Sequence, residues 1–165
     1  MSQMELFGDS QMFCGARFSP CRTWRYQLWR RWSSARSLMV VGLNPSTADE
    51  WQDDPTIRRC INFARDWGFG CLVMANAYAY RSTDPKGLWS VDDPVGPEND
   101  DALQSLAQMA GMVLVAWGVN CKPERQEQVL ELLDRPVHCL GTTKEGFPKH
   151  PLYIARSQKP VEFLV

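Results

Sequence analysis

The chain has no dominant charge. Its 18 Lys and Arg stand against 19 Asp and Glu, for a formal net charge of −1. That excludes the overall polyanion-binding signature of a strongly basic protein. Long apolar runs are missing too, and nothing approaches the roughly 20 residues of a membrane span. Residues 1–6 show neither the basic start nor the apolar core of a secretory signal. A cytoplasmic setting is therefore expected, with the six cysteines as free thiols. No two of them form a Cys-x-x-Cys pair, and their spacings fit no common zinc pattern. No metal site is assigned and no cofactor is expected. Internal repeats, low-complexity tracts and a domain linker are absent as well. With 165 residues, 44% apolar and 22% charged, the chain reads as one globular domain over 1–165.

What is there is a series of short apolar runs, each closed by turn residues. Residues 1–22 read as a loosely packed arm. Residues 23–32 alternate partly between aromatic and polar side chains, as a half-buried edge strand does. Buried strands are predicted at 38–41, 71–77, 112–117 and 137–140. Helices are predicted between them: one opened by the Asp54 cap and Pro55 and stopped by Gly68, then 98–110 and 122–133. The last residues, 161–165, read as an edge strand or a packed tail. Apolar strands alternating with helices of about a dozen residues indicate a three-layer α/β/α sandwich around a mostly parallel, four-stranded sheet. The segment 78–98 carries three prolines and two glycines. A loop of that length inside a compact domain is usually functional.

The strand ends carry the polar residues. The first strand runs into Gly42-Leu43-Asn44-Pro45-Ser46, the second ends at Asn76, the third at Trp117-Gly118, and His150-Pro151 follow the fourth. In a parallel sheet these ends converge on one edge, where ligands bind. Arginines crowd the first 36 residues (Arg17, Arg22, Arg25, Arg30, Arg31, Arg36), and a local basic patch of that kind can hold phosphates.

This set of strand ends resembles the uracil-DNA glycosylase superfamily. There the first motif is Gly-x-Asp-Pro or, in the mismatch-specific and thymine branches, Gly-x-Asn-Pro-Gly. The second strand ends in an Asn that reads the flipped base, a later strand ends in Trp-Gly, and the last motif is His-Pro-Ser-Pro-Leu. The present chain has Lys149-His150-Pro151-Leu152, which keeps His-Pro and loses Ser-Pro. A longer string of motifs is similar to a bacterial and phage family known as domain of unknown function 1643. It comprises Arg25-Tyr26, Gly42 to Asp49, Asp54-Pro-Thr-Ile-Arg-Arg59, Thr83-Asp-Pro-Lys86 and Pro94 to Asp100. The superfamily likeness implies a glycosylase-like fold and a nucleic-acid or nucleotide partner.

Glycosidic hydrolysis needs a positioned water on one face of a cationic sugar and donors for the departing base on the other. Asn44 would orient the water, and Asp49, Asp53 and neighbouring Asp54 would supply negative charge. His150 would donate to the leaving base. Asn76, both donor and acceptor, suits a base edge. Tyr78 would stack on the base beside Trp117, and Gly42, Leu43, Pro45, Ser46 and Arg81 would complete the substrate contacts. Arg58, Arg59 and Lys149 would hold phosphates. Two other readings stay open: a non-catalytic nucleic-acid or nucleotide-binding module, and an enzyme on a modified nucleotide whose aspartates hold a divalent cation.

Overall fold

The computed structural model describes residues 12–164. Residues 1–11 and 165, which include half of the expected arm, lie outside that range. One seven-stranded mixed sheet organises the chain. Its strands are β1 (Phe13–Phe18), β2 (Arg25–Arg31), β3 (Ser37–Gly42), β4 (Cys71–Asn76), β5 (Met112–Val115), β6 (His138–Cys139) and β7 (Val161–Glu162). The α-helices are α1 (Pro55–Asp66), α2 (Asn99–Met109) and α3 (Pro123–Leu133), with 3-10 turns at Pro85–Ser90 and Pro151–Tyr153. Among the described residues no helix is long and apolar enough to cross a membrane.

The sheet order is β1-β2-β4-β3-β5-β6-β7. The four expected strands are its parallel centre, β4-β3-β5-β6, but the expectation of a four-stranded sheet is corrected. Antiparallel strands extend it on both sides: β2 against β4, β1 against β2, and β7 against β6. Part of the predicted arm is therefore β1, and β2 is an interior strand rather than an edge. The physical reason lies in Gly15. An added Cβ there would sit 2.0 Å from the Trp29 indole, so the glycine lets the ring lie directly across β1. Such a pairing leaves little period-2 signal in the β1 sequence.

Alternate residues of the central strands feed two cores. Met39, Val41, Val113 and Val115 pack with Leu103, Leu106, Val129 and Leu133 of α2 and α3. Leu38, Val40, Leu72, Met74 and Leu114 pack with Ile57, Cys60, Ile61 and Ala64 of α1. Burying both faces explains why these strands read as unbroken apolar runs. The chain leaves β3 through α1 to reach β4 on one side, then returns through α2 to β5 on the other. The carboxyl ends of β3 and β5 thus flank a topological switch point, where open α/β sheets place their ligand crevice.

Candidate functional site

A cleft of about 450 Å³ opens at this switch point. It falls in the range of roughly 300–1,000 Å³ typical of small-molecule sites. Its floor comes from strand ends: Gly42 at the end of β3 and Leu43 after it, Met74 and Asn76 of β4, Trp117 and Gly118 after β5. One wall is Asn44 to Thr47 with Asp54 to Ile57, where β3 hands over to α1. Ser82, Thr83 and Pro85 come from the long segment after β4, His150 from the loop before the last 3-10 turn and Leu152 from that turn itself.

Backbone bonds hold these pieces in register. Ala77 and Tyr78 donate to the carbonyls of Gly42 and Leu43 at 2.9 Å each, and Ser82 N–H donates to Pro45 at 2.9 Å. Gly118, at φ +71°, turns the chain after β5 and donates to Pro148 at 2.9 Å, which brings the His150 loop over the β5 end. Arg30 pins the outer part of the β3–α1 loop. Its buried guanidinium donates to the carbonyls of Asp49 (2.6 Å) and Gln52 (3.3 Å) and to Asp53 Oδ1 (2.8 Å).

Asn44 spends its Nδ2 on the carbonyls of Ser82 (2.8 Å) and Pro45 (3.1 Å), so it braces the opposite wall. Its Oδ1 has no protein partner among the described residues. Asn76 is 2% exposed, and its Nδ2 has no hydrogen-bond partner among the described residues. An unmade bond of this kind costs about 1–3 kcal/mol. Its own carbonyl accepts from Asn99 Nδ2 at 2.9 Å, which fixes the backbone beneath it. His150 accepts the Leu152 N–H on Nδ1 at 3.3 Å, an arrangement that assigns the neutral ring's proton to Nε2. Burial holds this imidazole below its ordinary pKa, and Asp54 opposes the shift.

Asp54 is the carboxylate that lines the cleft. One oxygen caps α1 by accepting from Ile57 N–H at 2.9 Å. Asp49 and Asp53 are outside the lining. Asp49 Oδ1 accepts from the backbone of Trp51 and Gln52 at 2.8 Å each, which also draws its pKa down. Asp53 pairs with Arg30. Among the described residues, no three His, Cys, Asp or Glu side chains are grouped as a metal would need.

The cleft thus brings together Gly42, Leu43, Asn44, Pro45, Ser46, Asn76, Trp117 and His150. The other expected contacts lie elsewhere. Tyr78 is buried under Trp89 (ring centroids 5.4 Å apart), its hydroxyl pushed up to about 12 by burial. Arg81 stacks over Phe18 at 4.8 Å. Arg58 donates to the Asp53 carbonyl and Arg59 to that of Pro151, and Lys149 is exposed outside the lining.

One residue stands out that had been read as a member of an arginine-rich stretch and of a family motif, but not as a site residue. Arg25, 2% exposed, is the only Arg or Lys among the described residues that line the cleft. Its Nη1 donates to the Ala48 carbonyl at 2.9 Å, while Nε has no partner among the described residues. Burial lowers its pKa to about 10, with Asp54 the largest opposing influence, so it remains charged near neutrality. The signal available in sequence was its place at the start of the Arg25-Tyr26 motif.

No curated protein and no solved structure matches the chain. One family model does match, the one described as "Protein of unknown function (DUF1643)", over residues 25–152. That span begins at Arg25 and ends at Leu152, taking in every cleft residue, and the chain belongs to the DUF1643 family.

Proposed function

We propose that the cleft recognises a nucleobase and hydrolyses the N-glycosidic bond that joins it to its sugar. The observation that carries this reading is Asn76: a buried amide at the cleft floor with a donor left unspent. Such a group pairs well with a base carbonyl. The likeness of Gly42-Leu43-Asn44-Pro45, Asn76, Trp117-Gly118 and His150-Pro151 to uracil-DNA glycosylase motifs supports the same reaction class.

The roles follow from what each side chain has left to offer. Asn44 Oδ1 accepts from the attacking water. Asp54, within electrostatic reach of both His150 and Arg25, steadies the cationic sugar and takes the proton the water loses. As the C1′–N bond breaks, its electron pair goes to the base. His150 Nε2–H then donates to the base oxygen on which that charge develops. A neutral imidazole suits this donor role, and burial favours the neutral form.

The test is base release. Oligonucleotides with uracil, mismatches or modified bases, and nucleosides with their 5′-monophosphates, are incubated with the protein and free base is measured by mass spectrometry. At least one substrate should yield free base. Asp54→Asn should lower that rate by about 100-fold or more with little loss of stability, because Asn also caps helices well. Absence of free base from every substrate, with protein in excess, would falsify the hydrolase.

A further inference from the structure

We infer that Arg25 builds an oxyanion subsite in the cleft, and that the substrate is a free 5′-mononucleotide rather than a base within a strand. The inference rests on the base-recognition reading of Asn76.

The argument starts from bond counting. Five buried side-chain polar atoms lack a partner among the described residues, and two of them, Arg25 Nε and Asn76 Nδ2, belong to this cleft. Only Nη1 of the Arg25 guanidinium is bonded. The Nε–Nη2 edge that remains is the fork geometry that grips two oxygens of a phosphate at once. Asp54 shares the cleft lining with Arg25, yet no ion pair joins them, and one Asp54 oxygen is committed to the α1 cap. A buried cation without a contact partner is costly, and a bound oxyanion offsets that cost. The surroundings add neutral donors. Thr56 sits in the first turn of α1, where the backbone N–H groups and the helix dipole favour an anion, and Ser46 and Thr47 add hydroxyls.

The same counting speaks against a strand. A polynucleotide needs a track of cations along its backbone. Here the arginines around the cleft, Arg25 excepted, lie outside its lining. Arg22 is paired with both oxygens of Glu50 (2.7 and 2.9 Å), Arg30 with Asp53, and Arg58 and Arg59 with carbonyls. A single cation in the lining matches one phosphate.

Calorimetric titration of the full chain tests this with 5′-monophosphates of the common bases, their nucleosides, inorganic phosphate and a 12-nucleotide single strand. The expected result is a monophosphate bound about 10- to 100-fold tighter than its nucleoside, the gain of a charge-assisted bond to a buried Arg. Inorganic phosphate should compete with it, and the strand should bind no tighter than the mononucleotide. Arg25→Gln should shrink the nucleotide-to-nucleoside ratio to within threefold. The wild-type ratio decides the matter if that variant does not fold. Equal binding of nucleoside and monophosphate overturns the subsite while leaving base recognition standing, and tighter binding of the strand overturns the mononucleotide assignment. Phosphate binding through Arg25 with no gain from any base removes the base reading and the nucleotide assignment together.

Discussion

Two buried asparagines, Asn76 and Asn99, give the sharpest check on the idea that the cleft is kept unsatisfied for a ligand. Asn76 is 2% exposed and Asn99 fully buried. Asn99 Nδ2 donates to the carbonyls of Asn76 (2.9 Å) and Ala77 (3.3 Å), whereas Asn76 Nδ2 donates to nothing. Truncating either to Ala forfeits the dispersion contacts of three heavy atoms, about 1–2 kcal/mol. At Asn99 two hydrogen bonds of about 1 kcal/mol each go as well, offset in part because its Oδ1 is also buried without a partner and its removal gives back about 1 kcal/mol, for a total near 2 kcal/mol. At Asn76 the truncation removes an orphaned donor whose burial costs about 1–3 kcal/mol, so the net change falls within about 1 kcal/mol of zero. For a domain of this size 1 kcal/mol corresponds to about 2–4 °C in Tm. Thermal melts followed by circular dichroism should therefore show Asn99→Ala about 4–8 °C below wild type and Asn76→Ala within about 4 °C of it. Nucleotide binding should fail only in Asn76→Ala once both variants are measured folded. A loss of stability in Asn76→Ala as large as that in Asn99→Ala would refute the reasoning, because it would mean that Nδ2 is satisfied in the free protein.

Other expectations separate the scaffold from the chemistry. Asp53→Ala strips the carboxylate from Arg30, whose side chain is 1% exposed, and should cost about 2–3 kcal/mol by urea denaturation, less than a fully buried pair because Asp53 is partly solvated; base release per folded molecule should hold, and its loss at unchanged stability would return Asp53 to the chemistry. Burial keeps the folded-state pKa of His150 below its unfolded value, so its stabilising contribution is complete above about pH 6.5 and is lost as pH falls through the lower folded value. His150→Gln should flatten that stretch of the stability–pH curve, and an unchanged slope would point to another group. Cys21, exposed and brought down to about 7 by hydrogen bonds with Ser19 and Thr23, should be the first described cysteine alkylated by iodoacetamide near pH 7.5, well ahead of Cys60 and Cys121, which burial pushes up to about 12. Peptide mass mapping reads the order, and earlier labelling of either buried thiol would contradict the packing.

Much of the frame was legible in the sequence because it is written locally. The Asp54–Pro55 helix start, the four apolar strands and the convergence of Asn44, Asn76 and His150 all follow from short-range patterns and the parallel-sheet rule. What was hidden is non-local. β1 pairs with β2 through a glycine under a tryptophan, and neither partner announces the other. The loop aspartates were indistinguishable as letters. Only the bonds they make divide them: Asp49 folds its own turn, Asp53 neutralises Arg30, and Asp54 alone faces the cleft. Arg25 and Arg30 likewise look alike in a run of arginines. Arg30 is saturated by carbonyls and a carboxylate, whereas Arg25 keeps a buried Nε without a partner among the described residues.

The anchoring of residues 49–53 by Arg30 also has a kinetic meaning. A loop tied at Asp49, Gln52 and Asp53 has already lost its conformational freedom when the chain folds. The cleft wall that follows it, Asp54 to Ile57, is thereby seated before a ligand arrives. Association should follow a single exponential whose rate climbs linearly with ligand concentration, without the plateau that a slow rearrangement imposes. Affinity differences between ligands would then sit in how long they stay, not in how fast they arrive.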